Sequence, residues 1–351
     1  MKKLIAISVM IALVAGAAFA VDLSGNVITS ATLMAGDTDG SDLTTGEHYN
    51  RIRLEGSGET DDGQFGGWLR FDGRHWSGSV FTEGYGFWKP IPEFKLIVGQ
   101  FSDGYWGKTG YSDWMFYQTA TDTSVADGGD NVWGGSIYGF GINMRSAFYN
   151  GFGDFGFSME IKPADVFGIN IAVPVGGNLD DDFLKLHAQV NFLIGDIGNA
   201  SLVYRGNGKD EGGTIFAYFG AAGLGDICDL DFSVGVPVKK DEDIPINIGL
   251  GTKFSISDEF ALKLRFMVHI ADPFGVIADI MPYYAFNDGF RGYLSIGFGM
   301  LDEQIGLNVN PYIEIGQEWG MKFLAGVRFF CDDLDGGIFK FSVPIAFHLG
   351  F

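Results

Sequence analysis

Segments in which apolar and polar residues alternate run through most of the chain. A period of two is that of a β-strand, because successive side chains of a strand point to opposite faces. The last such segment spans Ile338 to Phe351, and Lys340, Ser342 and His348 are among its alternate polar positions. Its other face is predicted to be wholly apolar, since it carries Phe339, Phe341, Val343, Ile345, Phe347, Leu349 and Phe351.

The same alternation recurs upstream of this strand, in segments separated by turns rich in Gly, Asp and Asn. About 20 segments can be counted if two weaker ones, Val132 to Tyr138 and Ile142 to Tyr149, are included. The faces of Ser79 to Trp88 are ambiguous, Lys89 to Pro92 is predicted to be a turn, and the alternation fails from Ser102 to Asn131. The pattern therefore predicts an all-β chain with one long irregular segment.

The first twenty residues have the pattern of a secretory signal peptide. Lys2 and Lys3 precede an apolar run, and Ala18 to Ala20 forms a small-residue cleavage site, which predicts a mature chain of residues 21–351. An uncleaved anchor helix is the alternative, but the run is shorter than the ~20 residues that a bilayer crossing needs. Removing the two lysines changes the formal charge from −21 to −23, which argues against nucleic acid as a partner.

An alternating terminal strand that ends in Phe351 resembles the carboxy-terminal signal of bacterial outer-membrane β-barrel proteins. The chain is 46% hydrophobic and contains 33 Phe, yet no apolar run past residue 20 is long enough for a membrane helix. We therefore predict a closed antiparallel transmembrane β-barrel of about 18 strands, with a range of about 16 to 20 and both termini on the periplasmic side. A water-soluble sandwich is disfavoured because its core could not hide so many Phe.

The resemblance also implies a place and partners for the protein. The expected location is the bacterial outer membrane, and the expected partners are outer-membrane lipid and, through the terminal strand, the barrel-assembly machinery. A homo-oligomer is left open. Cys228 and Cys331 fall in turns at opposite ends of the predicted barrel, so two separate thiols are expected.

A barrel of this size leaves a water-filled lumen, so the polar face of each strand would line a channel. Inward cations would favour anionic solutes by lowering their electrostatic barrier. Alternatively, the cations only pair with the inward acids Glu55, Asp72, Asp279 and Glu314 and stiffen the wall; both interpretations stay open. Strand parity predicts as pore-lining Arg51, Arg53, Arg70, Arg74, Arg145, Arg205, Lys263, Arg265, Arg291, Lys322 and Arg328.

Residues 102–131 would form the third external loop if the amino terminus is periplasmic. Its position and length resemble the third loop of general bacterial porins, which folds into the barrel and narrows it. The loop could equally cap the barrel or bind a partner or a surface glycan. The resemblance implies a constriction built from Asp103, Tyr105, Trp106, Tyr111, Asp113 and Trp114.

Candidate catalytic chemistry is sparse. His75 with Asp72 and Ser77 is the best triad-like cluster, but a short turn collects such residues by chance. The acidic run from Asp37 to Asp42 lacks the glycine and glutamate spacing of a calcium loop. We expect no enzymatic activity, no cofactor and no bound metal.

The sequence therefore predicts a porin-like channel for passive diffusion of small hydrophilic solutes, with a preference for anions as an additional hypothesis. The alternative from another class is a structural or adhesive barrel whose lumen is occluded. An outer-membrane hydrolase is the third candidate. Conductance in a planar bilayer separates the first two.

Overall fold

The computed structural model describes residues 21–37, 48–74, 80–100, 155–175 and most of 185–350. The gaps in the last range are 196–197, 209–211, 226, 239–243, 273, 317–319, 332–333 and 338. The first five strands are β1 (Val21–Asp37), β2 (His48–Glu59), β3 (Phe65–Arg74), β4 (Val80–Ile91) and β5 (Phe94–Gln100). The other fourteen are β6 (Phe155–Ala164), β7 (Phe167–Pro174), β8 (His187–Ile194), β9 (Gly198–Gly208), β10 (Gly212–Leu224), β11 (Cys228–Val238), β12 (Ile246–Ser255), β13 (Phe260–Ile270), β14 (Gly275–Asn287), β15 (Phe290–Leu301), β16 (Gln304–Gly316), β17 (Met321–Gly326), β18 (Arg328–Cys331) and β19 (Lys340–Gly350).

These strands form one closed antiparallel sheet. The sheet closes because β1 pairs with both β2 and β19. β17 and β18 both pair with β16 on one side and with β19 on the other, so they are two parts of one strand interrupted at Val327. The barrel therefore has eighteen strands, and the predicted fold class and strand number are confirmed.

The two ends of the barrel differ in their connections. Because the strand number is even, β1 begins and β19 ends at the same end, here called the terminal end. Turns at that end are short, such as 60–64 between β2 and β3 and 92–93 between β4 and β5. The opposite, loop end carries the connection 101–154 between β5 and β6, which pair directly with each other. The two weaker predicted segments, 132–138 and 142–149, lie outside the described residues.

The outer face of the barrel is apolar on all sides. Phe347 of the terminal strand is 37% exposed, and Leu264 and Ile296 lie on the same outer face of their strands. By register, the Asp, Glu, Lys and Arg side chains that the structure describes in these strands fall on the opposite, inner face. A charged side chain facing lipid would cost about 2–4 kcal/mol near the bilayer midplane, so this segregation suits a membrane.

None of the described residues belongs to a helix long and apolar enough to cross a membrane.

Aromatic side chains gather on the outer face near the terminal end. Phe65 and Trp88 are register partners on β3 and β4. Further round the wall, the ring centroids of Phe167 and Phe192 are 5.2 Å apart and those of Phe286 and Phe290 are 4.8 Å apart. Outer-membrane barrels carry such rings of aromatics at the height of the lipid headgroups. The terminal end therefore has the form of one membrane boundary.

Strand β4 differs from its sequence prediction. The segment 89–92 was expected to be a turn, but β4 continues to Ile91 and the turn is formed by Pro92 and Glu93. The register shifts between Trp88 and Ile91, and a bulge of this kind accommodates Pro90, which cannot donate a ladder hydrogen bond. The predicted turn at 89–92 is therefore wrong, because the bulge lets the strand continue through Pro90.

The two cysteines are both free thiols. Cys228 begins β11 at the terminal end, and Cys331 ends β18 at the loop end. The Cys228 Sγ lies 3.3 Å from the Oγ1 of Thr252 on the neighbouring strand. The predicted pair of separate thiols is confirmed.

Candidate functional site: the inner wall

The first charged cluster of the inner wall lies across β2, β3 and β4. Register places Arg53 opposite Asp72, and Arg70 between Glu55 and Glu83. The Arg53 Nη2 lies 3.1 Å from Asp72 Oδ2, and Arg70 reaches Glu55 at 2.7 Å and Glu83 at 3.1 Å. A buried charge is costly unless it is paired and hydrogen-bonded. Two guanidinium groups are thus shared among three carboxylates, which hold them against the wall.

Aromatic rings flank this cluster. The Arg70 Cζ lies 4.7 Å from the centroid of the Trp68 ring, which stacks on Tyr85 with centroids 5.7 Å apart. Arginine over an aromatic face is attracted by the ring quadrupole. Arg70 is thus oriented from three sides, by two carboxylates and one ring.

A second charged cluster lies on the strands from β13 to β17. Arg265 contacts Asp279, its register partner on β14. Arg291 Nη1 lies 3.1 Å from Glu314 Oε1, and the Nζ of Lys322 lies 3.6 Å from Glu314 Oε2. Asp279 and Glu314 therefore form ion pairs with predicted pore-lining cations, as Glu55 and Asp72 do in the first cluster.

A row of three tyrosines stands next to Arg291 on the inner face. The rings of Tyr283 and Tyr293 have centroids 5.4 Å apart, and those of Tyr293 and Tyr312 are 4.5 Å apart and parallel to within 3°. The Lys263 Nζ lies 5.6 Å from the centroid of the Tyr283 ring. Tyr293 therefore lies between the other two rings, with a neighbouring ring on each side.

Polar side chains are frequent on the inner face of β8 to β11, and several of them form hydrogen bonds. The Ser201 hydroxyl donates to Asn191 Oδ1 at 2.8 Å, and the Tyr218 hydroxyl donates to Asp231 Oδ1 at 2.6 Å. His187 is buried and is the register partner of Arg205. This part of the wall is polar but carries fewer charges than the two clusters.

The sequence-predicted residues fall into three groups. Arg51 and Arg74 are backbone partners in the β2–β3 ladder. Arg145, the six predicted constriction residues of 102–131, and His75 and Ser77 lie outside the described residues. The remaining predictions lie on inner-face positions: Arg53, Arg70, Arg205, Lys263, Arg265, Arg291, Lys322 and Arg328.

Not every inward cation is neutralised by an acid. Within the part of the chain that the structure describes, neither Arg205 nor Lys253 takes part in an ion pair.

The Asp72 carboxylate of the triad-like cluster is bound to Arg53, so it is engaged in the wall network rather than available to activate a nucleophile.

Sequence reasoning missed Glu83 and the stacked tyrosines. Glu83 lies on β4, where small outward residues, Gly84 and Gly86, and inward aromatics, Tyr85 and Phe87, obscure the alternation. The tyrosines were missed because parity alone does not say which inward residues of neighbouring strands are at the same height. Strand register would have been needed to find them.

Comparisons with known proteins agree with this architecture. The structure of Pseudomonas aeruginosa OpdK with vanillate matches with a TM-score of 0.57 and 9% identity, over 94% of this chain and 99% of that one. Pseudomonas aeruginosa OccK11 (OpdR) matches with 0.58 and 8%, over 94% and 96%. A triple mutant of the Rhodopseudomonas blastica porin matches with 0.54 and 13%, over 94% and 100%. No family model and no curated protein matches the chain.

These likenesses concern the fold, since the sequence identities are low. Together with the closed eighteen-stranded sheet, the apolar outer face and the charged inner face, they define the class. The chain has the closed antiparallel β-barrel fold of these porins.

Proposed function

We propose that the protein is an outer-membrane channel through which small hydrophilic solutes diffuse passively, without catalysis. The observation that carries the proposal is the segregation of charge, because the charged strand side chains that the structure describes lie on the face that surrounds the lumen. Barrels of about 16 to 18 strands are wide enough to leave an aqueous channel. The porin fold of the structural neighbours also supports this proposal.

The test is conductance of the purified, folded protein in a planar lipid bilayer. The proposal predicts discrete current steps, each marking one inserted channel, and none from detergent alone. Correct folding is checked beforehand by the shift in gel mobility on boiling. Folded protein that inserts but passes no current at any voltage contradicts the proposal.

A second candidate is a barrel with an occluded lumen and a structural or adhesive role. The observation in its favour is that several inner-face polar side chains are nearly inaccessible, among them Asp72, Gln189, Asn308 and Asn310, each at most 1% exposed. An open lumen would hydrate such groups. The same conductance experiment decides between the two functions.

We also propose a weak preference for anions. Arg205 and Lys253 support it, since they add inward positive charge that no described ion pair cancels. The arginines of the two clusters contribute less, because carboxylates 2.7–3.1 Å away neutralise them. A reversal potential measured in a potassium chloride gradient tests this, and a value on the cation side would contradict it.

Residues 102–131 and residues 1–20 also have proposed roles. Residues 102–131 belong to the connection at the loop end and are proposed to narrow the lumen, so their replacement by a short glycine-serine linker should raise the conductance.

Residues 1–20 are proposed to be removed on export to the outer membrane. Sequencing the amino terminus of the protein from isolated outer membranes should then begin at Val21.

A further inference from the structure

A pocket of about 250 Å³ lies on the rim of the terminal end, between two turns and the end of β6. The β2–β3 turn contributes Gly63, and the β4–β5 turn contributes Pro92 and Glu93. The backbone holds the turns in place, since the Lys89 amide donates to Gln64 O and the Lys162 amide donates to Glu93 O, both at 2.7 Å. The pocket is thus part of the fold rather than a gap between loose loops.

Six charged side chains line this pocket, three of each sign. They are the ammonium groups of Lys89, Lys95 and Lys162 and the carboxylates of Glu59, Glu93 and Glu160. Among these described residues, Lys89, Lys162 and the three glutamates form no ion pair with one another. The charged clusters on β2–β4 and on β13–β17 differ from this pocket, because their opposite charges already form ion pairs with each other.

The apolar part of the pocket wall comes from Phe87, Phe94 and Pro92. The Lys95 Nζ lies 4.4 Å from the centroid of the Phe87 ring, and Lys95 is the register partner of Glu160. Cationic, anionic and apolar surfaces therefore meet within one small space. Pockets for drug-sized ligands are usually about 300–1,000 Å³, so this one suits a smaller solute.

We propose that this pocket binds a small zwitterionic solute of the amino-acid class, with one ammonium and one carboxylate group. The local charge sums to zero, so neither a simple anion nor a simple cation gains from the overall field. A dipolar molecule can pair both of its ends with wall charges that have no ion-pair partner there, and place its hydrocarbon part on Phe87 and Phe94. The inference deepens the proposed channel function, on which it rests, by naming a solute class held at the terminal-end mouth.

Valine and two analogues that each lack one charge provide the probes. Isovalerate lacks the ammonium group and isobutylamine lacks the carboxylate, while the hydrocarbon part is preserved. Binding to the full-length protein in detergent micelles is measured by saturation-transfer NMR, which does not require conduction. Valine is expected to bind up to about fivefold more tightly than either analogue, because an exposed charge pair contributes up to about that factor.

Variants locate the binding within the molecule. Glu160→Gln and Lys162→Gln should each weaken valine binding several-fold, whereas Lys253→Gln, which removes an inward lysine near the same end of the barrel, should leave it unchanged. Equal binding of isovalerate or isobutylamine would overturn the zwitterion assignment, and unchanged binding in both pocket variants would overturn the site. Each variant is first shown to fold by its mobility shift.

Conductance of the same preparations separates this inference from the channel proposal. If current steps are seen but valine does not bind, the pocket inference fails alone. If valine binds with the predicted variant pattern but no current is seen, the channel proposal fails while the site stands.

Discussion

Arg53 and Asp72 face each other across β2 and β3, with Arg53 Nη2 3.1 Å from Asp72 Oδ2 and the Asp72 side chain almost wholly buried. The two residues are nineteen positions apart in the chain. The ladder makes them direct partners because the β2–β3 turn sets the register. Much of the inner wall follows this rule, in which register brings an acid and a base of adjacent strands together.

Replacing Arg53 by Gln should destabilise the barrel by about 3 kcal/mol, because Asp72 would keep a buried negative charge without its guanidinium partner. The double variant Arg53→Gln with Asp72→Asn should cost clearly less than Arg53→Gln alone, since no charge is then left behind. Urea unfolding of lipid-reconstituted protein measures both. Equal losses in the single and double variants would show that the pair does not carry the effect.

Arg70 should influence ion selectivity through the two acids that it neutralises. Arg70→Gln would remove one positive charge from beside Glu55 and Glu83, so the reversal potential should move toward cations. Arg70→Glu together with Arg74→Glu should move it further in the same direction. The control Arg70→Gln with Glu83→Gln restores the net charge and should return the potential most of the way. No shift in any of these variants would mean that the cluster lies outside the permeation path.

Gly220 makes room for the hydrogen bond between Tyr218 and Asp231. A Cβ added at Gly220 would lie 2.1 Å from the Tyr218 hydroxyl oxygen, so Gly220→Ala must displace that ring. Tyr218→Phe should cost about 1 kcal/mol of unfolding free energy, as expected for one hydrogen bond. Gly220→Ala should cost at least as much.

A double-mutant cycle tests whether the two substitutions act through the same contact. Gly220→Ala should cost less in the Tyr218→Phe background than in the wild type, because the hydrogen bond is already gone and the smaller ring edge moves more easily. Strictly additive free energies would show that the glycine acts elsewhere.

Alternation of residue types was enough to predict the fold, and its limits lie at particular residues. The outer positions of Leu264, Ile296 and Phe347 follow from a period of two, since a slip of one residue would turn a whole apolar face inward. The same period failed on β4, where Gly84 and Gly86 carry no side chain to mark the outer face. The alternation therefore identifies the two faces of a strand only where large apolar side chains mark one of them.

The sequence predicted which charged residues face inward, but not which of them contact each other. Glu55, Asp72, Asp279 and Glu314 could be named as inward acids, but which arginine each one binds depends on strand register. Register in turn depends on turn lengths and bulges, such as the shift between Trp88 and Ile91. The rim pocket was missed for the same reason, since its lining residues come from three separate segments.

Strand β9 provides the most direct test of whether alternate residues of each strand face lipid and a conducting lumen. Single cysteines are introduced in a background with Cys228→Ser and Cys331→Ser, at the inner positions Asn199 and Arg205 and at the outer positions Leu202 and Tyr204. A charged, water-soluble thiol reagent is then added during bilayer recording. Cysteines at the two inner positions should react and change the current, whereas those at the two outer positions should stay unmodified. Reaction without this alternation, or modification of the inner positions with no change in current, would contradict the account.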